Sequence, residues 1–453
     1  MTVRRAVAAA FSPLTTRGRC LLGTGLALLV AGVVLGERAL VQAAVFVLAL
    51  PVVAAFAVAR QRFSVTSRRT VNPSRVPRGA DAEVLLELAN TDRRTGGAWV
   101  LTEGLPAELG EQPRFVVDRL PAGATSGMRY RVHGSRRGRH VLGPLQLRLV
   151  DPFGLVRRTV AGTDTVPLLV VPRVRALGPG GPAGGSGGSG EGARRSIAVH
   201  GEDDVSAREY RHGDDLRKVH WRATARTGEL MVRLEERPWR SSATLLLDTR
   251  ARAHLLAGAR GGAPLPADGA DGAPPPDSLE WVVEAAASIG TALLRRGSVV
   301  RVVTEEGDLT AADRIGVGPE ELLDRLALLS PTRTTGLGTA VERVGRIAGD
   351  GPVVCLLGAV GADDVADLVR VRSGPSTDAA VLTDVASWAD AGAARSRRGI
   401  GTASRDELTR QRDEAARLLR AAGWRVAVAG AGTRVEDVWL SLGATAGTLG
   451  VPA

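Results

Sequence analysis

The sequence predicts a multidomain chain: an N-terminal transmembrane α-hairpin, an all-β sandwich-like domain, then an α/β domain with a mostly parallel sheet. Three observations carry this. Two long apolar runs fill most of the first 60 residues, short alternating segments separated by turn residues follow, and beyond a glycine-rich stretch continuous apolar runs alternate with amphipathic ones. At 453 residues the chain has room for about three domains. Hydrophobic residues at 44% and charged residues at 24% exclude wholesale disorder. The 56 glycines follow no Gly-X-Y period, which excludes collagen.

The hairpin is expected within residues 1–62. Residues 20–36 and 39–59 reach about 25 and 31 Å as helices, against a hydrocarbon core of about 30 Å. No small-residue cleavage site follows the first run, and Glu37-Arg38 makes only a short turn, so a signal peptide is disfavoured. Arg4, Arg5, Arg17 and Arg19 precede the first span, and Arg60, Arg62, Arg68 and Arg69 follow the second. The positive-inside rule then places both flanks, and both termini, in the cytoplasm of a two-span cell-membrane protein. Gly23, Gly25 and Gly32 would permit close helix packing.

The β texture covers 63–177. Residues 84–90, 114–120, 126–134, 145–151 and 166–172 are short runs bounded by Gly, Pro, Asn and Asp, the pattern of an antiparallel sandwich. Residues 136–144 look like a hairpin approach, and Asp151-Pro152-Phe153-Gly154 reads as a turn with a buried aromatic. Residues 178–194 are a Gly/Ser-rich linker with few side chains to bury.

From 241 to 453 the chain alternates. Residues 243–248, 298–304, 352–358, 379–384 and 424–430 are buried-strand candidates; helices are expected near 278–296, 319–329, 339–348, 362–370 and 405–421. Residues 257–277, rich in Gly, Ala and Pro, read as an excursion after the first strand.

Charge and cysteine narrow the function. The net charge is +11, carried almost wholly by arginine with Lys218 as the one lysine, a bias that fits GC-rich coding. Aromatics are only 3% and do not interleave with arginines, which argues against nucleic acid as a partner. Cys20 and Cys355 offer neither a disulfide framework nor a zinc knuckle.

Residues 195–240 hold a stretch, 201–239, that is unusually rich in charge, and three readings compete there. His212, Asp214, Asp215 and His220 could serve a hydrolytic site, but no HExxH spacing is present. Arg208, Arg211, Arg217, Lys218, Arg222 and Arg226 could bind phosphate, but no GxxxxGK[ST] loop accompanies them. Interleaved Asp, Glu and Arg could instead form a scaffold of ion pairs with aromatics packed between.

Arg208-Glu209-Tyr210, Gly213-Asp214-Asp215, Arg217, His220-Trp221-Arg222-Ala223-Thr224-Ala225-Arg226, Gly228-Glu229-Leu230 and Val232-Arg233 resemble the signature of the domain-of-unknown-function 58 family. His220 stands where many members carry an acidic residue or Asn. The resemblance spans nearly the whole chain: an N-terminal hairpin, a β-rich segment ending in an Asp-Pro-Phe-Gly turn, and a C-terminal domain similar to von Willebrand factor type A. It implies a MoxR-type AAA ATPase and other membrane proteins as partners, with no cofactor and no assigned activity. The signature residues Arg208, Glu209, Tyr210, Gly213, Asp214, Arg217, Trp221, Ala225, Arg226, Gly228 and Leu230 are then structural or interaction positions.

Type A domains hold Mg²⁺ through Asp-x-Ser-x-Ser and later Thr and Asp residues. Here the first strand ends Asp248-Thr249-Arg250-Ala251-Arg252, with arginine at both serine places. Gly338-Thr339 resembles the second element; Gly358-Ala359 replaces the third, with Asp363 and Asp364 nearby. The expected outcome is a degenerate site near Asp248 and Thr339 that holds no metal, Asp248 capping a loop or pairing with Arg250 or Arg252. No catalytic motif is recognised. The expected function is a membrane-anchored, cytoplasmic-facing interaction protein working with the ATPase in assembly or maturation of membrane or envelope complexes; the alternative is a hydrolase using residues 201–240.

Overall fold

The computed structural model describes residues 14–60, 65–93, 95, 99–150, 153–181, 207–210, 219, 221–233, 242–256, 277–310, 317–348, 351–372, 378–393 and 402–443. Among these the chain divides into two compact units, one ending at Val171 and the other starting at Pro172.

The first unit opens with two helices, α1 (Thr16–Leu35) and α2 (Arg38–Arg60), long and apolar enough to cross a membrane. The Thr15 hydroxyl accepts from the Gly18 N–H at 3.2 Å to start α1, and Gly36, at φ 70°, stops it in the left-handed conformation. Two of the three expected packing glycines lie between the helices. A Cβ on Gly25 would come within 2.8 Å of Leu48, and one on Gly32 within 2.9 Å of Val41, whereas Gly23 faces open space.

Among the described residues ten strands follow: β1 (Val65–Asn72), β2 (Arg75–Pro77), β3 (Asp81–Asn90), β4 (Trp99–Thr102), β5 (Arg114–Val117), β6 (Thr125–His133), β7 (Gly138–Leu142), β8 (Gln146–Val150), β9 (Arg157–Ala161) and β10 (Val166–Val171). They form sheets ordered β1-β3-β6, β2-β10-β7 and β5-β4-β8-β9. Strict alternation along β3 turns Ala82, Val84, Leu86 and Leu88 to one face. Ala82 and Val84 pack against Leu142, Leu168 and Val170 of the second sheet, and Leu86 and Leu88 against Trp99, Leu101 and Leu147 of the third. The short pieces β2 and β4, and the arginine-rich β1 and β9, were not legible as strands by periodicity alone.

Two local expectations are corrected here. Phe153 is 67% exposed rather than buried. Arg69, counted with the charges flanking the second span, is buried inside the β-rich unit. Its guanidinium donates to both carboxylate oxygens of Glu103, at 2.6 and 3.1 Å, and to Asp164 Oδ2 at 2.6 Å.

In the second unit a short strand β11 (Ala207–Glu209), a helix α3 (Trp221–Thr227) and a strand β12 (Met231–Arg233) precede the five-stranded sheet. Its strands are β13 (Ser242–Leu247), β14 (Val299–Val303), β15 (Val353–Leu357), β16 (Ala379–Thr383) and β17 (Arg425–Ala429), all parallel, in the order β14-β13-β15-β16-β17. Its helices are α4 (Ser278–Arg295), α5 (Pro319–Ala327), α6 (Gly338–Ile347), α7 (Ala362–Val371), α8 (Val385–Ala393), α9 (Thr402–Ala421) and α10 (Val435–Gly443). Alternate strand residues serve opposite faces. Leu245, Val302 and Leu356 pack with α4, α5 and α10, while Leu246, Cys355 and Leu357 pack with α6, α7 and α9. Burial on both faces explains why these strands read as unbroken apolar runs. Asp277 lies at the N-cap of α4, where its carboxylate accepts from the Glu280 N–H at 2.8 Å; 257–276 of the expected excursion lie outside the described residues.

Candidate functional site

A parallel sheet that runs from its first strand to one side and then crosses to the other leaves a crevice at the carboxyl ends of the strands where the direction reverses. Here β13 is followed by β14 on one flank and β15 on the other, so that crevice lies between the loops after β13 and β15. Asp248 and Arg250 follow β13, and Gly358, Ala359 and Asp364 follow β15.

Arg250 fills the crevice. Its Nε and Nη2 donate to the two oxygens of Asp248, both at 2.9 Å, and Nη1 donates to Asp364 Oδ2 at 3.0 Å. Nη1 also reaches the Thr335 carbonyl at 3.3 Å. Asp248 and Arg250 are fully buried, as are Thr249 between them and Ala253 beyond. The loop geometry leaves no room for variation at Gly358, whose Cβ would come within 2.3 Å of the Ala253 carbonyl oxygen. The Gly358 N–H donates to Asp248 Oδ2 at 3.2 Å, so the carboxylate is held by backbone as well as by the guanidinium.

Burial alone would raise Asp248, but the Arg250 hydrogen bonds, together with the Arg250 charge, hold it below the ordinary carboxylate range. For Arg250 the burial cost is outweighed by Asp248 and Asp364, which raise it further. His254 is pushed down by burial and so is neutral. Its Nε2 faces the Asp248 carbonyl at 2.8 Å and must donate, which leaves Nδ1 to accept from the Ser278 hydroxyl at 3.1 Å.

A third carboxyl group completes the cluster. Glu305, in the loop after β14, accepts from the Thr249 N–H at 3.0 Å and from the Thr249 hydroxyl at 2.7 Å. Burial, and then the neighbouring Asp248 charge, push it up to about 7. One guanidinium already faces two carboxylates, so the third retains its proton more readily. The folded state therefore binds a proton here that the unfolded chain gives up near its ordinary value of about 4.3. Stability should fall as pH rises from about 5 to 7, by about 3 kcal/mol over the whole titration. Tryptophan-monitored unfolding of the full chain at stepped pH checks this: the slope should flatten in Glu305→Gln, and an unchanged slope in that variant would assign it elsewhere.

The donor set does not suit a divalent cation. Asp248 and Asp364 are bridged by Arg250, whose charge cannot be removed in a protein. Arg252 is exposed and takes no part, Asp363 is exposed, and Thr339 is exposed at the start of α6. Arg250 was expected to oppose an ion from a serine place; instead its guanidinium lies where Asp248 and Asp364 converge. Magnesium at millimolar concentration, or EDTA, should leave the unfolding midpoint of the full chain unchanged. A saturable shift that Asp248→Ala abolishes would contradict this.

The signature segment folds into a small clip. β11 pairs antiparallel with β12, Arg208 opposite Val232 and Glu209 opposite Met231. The Tyr210 N–H donates to the Leu230 carbonyl at 2.8 Å, and the Thr224 hydroxyl in α3 accepts from the Met231 N–H at 3.0 Å. Gly228, at φ 80°, ends α3, its N–H donating to the Thr224 carbonyl at 2.9 Å. Val232 is buried and Tyr210 half-buried. Thus Thr224, Gly228, Leu230 and Val232 of the signature shape a helix stop and a strand pair. Ala225, Arg226 and Leu230 are exposed, and Trp221 is 70% exposed rather than packed among ion pairs. Gly213, Asp214, Arg217, His212, Asp215, Lys218 and His220 lie outside the described residues, as do the side chains of Arg208, Glu209 and Arg222.

Residues 206–259 match the family described as "Protein of unknown function DUF58", a stretch that takes in the clip, β13 and the loop with Asp248 and Arg250. The match supports the resemblance read from the signature. No curated protein matches the chain significantly. Among solved structures, a CARDB domain from Pyrococcus furiosus, crystallised with di-metal ions, is 14% identical over 24% of this chain and 94% of its own, at a TM-score of 0.19. An alkylpurine DNA glycosylase from Pseudomonas fluorescens bound to abasic DNA is 14% identical over 28% of this chain and 40% of its own, at 0.16. A β-glucosidase from Erythrobacter marinus is 12% identical over 22% and 15%, at 0.15. Similarity at this level carries no functional argument.

Proposed function

We propose that the chain is a membrane-anchored, cytoplasmic-facing interaction protein whose β-rich and α/β parts are binding surfaces, working with a MoxR-type AAA ATPase in assembly or maturation of membrane or envelope complexes. The observation that carries the reading is the plugged crevice. At the position where open parallel sheets take a ligand, this chain seats its own Arg250 between Asp248 and Asp364. A surface built that way is suited to docking rather than to turnover. The same filling favours a sheet like that of von Willebrand type A domains in which the ion place has been taken over by an arginine. The layered β strands favour a sandwich-like middle domain.

Anchoring rests on α1 and α2, and orientation on the arginines flanking them. A reporter fused after Ala453 should be active only as a cytoplasmic marker; activity of a periplasmic type would overturn the topology and the ATPase partnership together. The hydrolase alternative is separated by Arg208→Ala and Asp214→Ala. Each should lower the yield of folded protein, as the ion-pair scaffold reading of the segment expects. Normal thermal stability in both variants with function lost would transfer the preference to the enzyme reading.

A further inference from the structure

Phe153 is large, apolar and 67% exposed, while the residues that follow it, Gly154 to Val156, are tightly held. Its neighbours Leu155 and Val156 are buried against Ala54 and Val58 of α2, with Leu14, Leu21 and Leu50 around them. The Thr15 hydroxyl donates to the Gly154 carbonyl at 2.6 Å and the Thr15 N–H to the Leu155 carbonyl at 2.9 Å. A Cβ on Gly18 would come within 2.3 Å of that same Leu155 oxygen, so α1 and the loop meet backbone to backbone. The loop is thus wedged against the base of the hairpin, within about 9 Å of the helix ends at 1.5 Å per residue.

With α1 and α2 spanning the hydrocarbon core, that level would meet the boundary between headgroups and acyl chains, where apolar side chains of surface-bound segments settle. The surrounding charge agrees with it. Arg17, whose Nη1 a Cβ on Gly154 would approach to 3.8 Å, and Arg157 on β9 are exposed beside the loop, Arg19 is exposed in the same first turn of α1, and such residues are drawn to anionic headgroups. The exposed aliphatic face of the hairpin, including Val52, Val53 and Phe56, continues toward the same level.

We propose that the loop at 153–156 is a membrane-interface anchor: Phe153 inserts at the headgroup boundary of the leaflet at the hairpin base, with Arg17, Arg19 and Arg157 on anionic headgroups. The inference rests on the membrane-spanning reading of α1 and α2 and adds to it. The β-rich unit is then fixed to the lipid surface through two helices and a side-chain wedge, instead of swinging on the chain alone.

The test uses the full chain with Cys20→Ala, Cys355 being fully buried. Phe153→Cys, Phe46→Cys on the exposed face of α2 and Val116→Cys on β5 each receive an environment-sensitive fluorophore. The proteins are reconstituted in phosphatidylcholine–phosphatidylglycerol vesicles bearing nitroxides near the headgroup or near the chain end. The label at 153 should emit to the blue of that at 116 and be quenched roughly twofold or more better by the shallow nitroxide than by the deep one. Removing phosphatidylglycerol, or adding Arg17→Gln with Arg157→Gln, should weaken that quenching. Deep quenching at 46 with water-like emission at 153 overturns this anchor alone. No quenching at 46 overturns the membrane reading and the anchor with it. A blue-shifted label at 153 that neither nitroxide quenches means that protein covers it, which also overturns the lipid assignment.

Discussion

Replacing Arg250 with methionine should destabilise the α/β unit by about 3–5 kcal/mol, because it leaves the fully buried Asp248 without its cation while Asp364 loses the same partner. For a unit of this size that corresponds to a fall in midpoint of roughly 6–20 °C. Two comparisons identify the cause. Arg250→Lys keeps the charge but cannot span both Asp248 oxygens and Asp364 at once, so it should recover only part of the loss. The double substitution Asp248→Asn with Arg250→Met removes the stranded charge and should be milder than Arg250→Met alone. If the double variant is as unstable as the sum of the singles, the cost lies in packing volume and not in the buried charge.

The second large effect belongs to the β-rich unit. Arg69→Met should cost about 3–5 kcal/mol by the same reasoning, since Glu103 and Arg69 are both fully enclosed. Arg69 joins β1 to the segment after β4 and, through Asp164, to the approach to β10. Burial, followed by the Glu103 charge, also raises the Tyr130 phenol well above its ordinary range, so the network holds a neutral hydroxyl beside a carboxylate. Near-ultraviolet circular dichroism of the full chain should lose the Tyr130–Phe115 contribution as this unit opens, the two rings being 5.9 Å apart. Wild-type stability in Arg69→Met would mean that Glu103 finds water or another cation.

These two arginines show where sequence reasoning reached and where it stopped. The five strands β13 to β17 were legible because burial on both faces demands continuous apolar runs, and α4, α6, α7 and α9 because one buried face imposes a helical period. The helices α8 and α10 were missed: α8 is short, with small residues around the buried Trp388 that carry little period, while α10 does hold Val435, Val438, Trp439 and Leu442 at helical spacing but over only nine residues. Asp248 was identified from its place at the end of the first strand. Its partner Asp364 was only noted as nearby, and Glu305 was not singled out, since pairing across three loops leaves no trace in linear spacing. Arg69 was counted as a flanking charge because next to a span every arginine looks alike; only the strand register places Arg68 outside and Arg69 inside. Phe153 was expected to be buried, but a turn motif fixes the backbone and not the side of the chain on which the ring lies, and the ring is exposed.

The most direct measurement is crosslinking of the full chain in native membranes, followed by capture and identification of what is joined to it, with and without a nonhydrolysable nucleotide. A MoxR-type ATPase should be recovered, in an amount that changes with nucleotide, and the signature variant Trp221→Ala, exposed in the clip, should reduce the recovery without lowering stability. Recovery of no ATPase under either condition, with the chain folded and in the membrane, would contradict it.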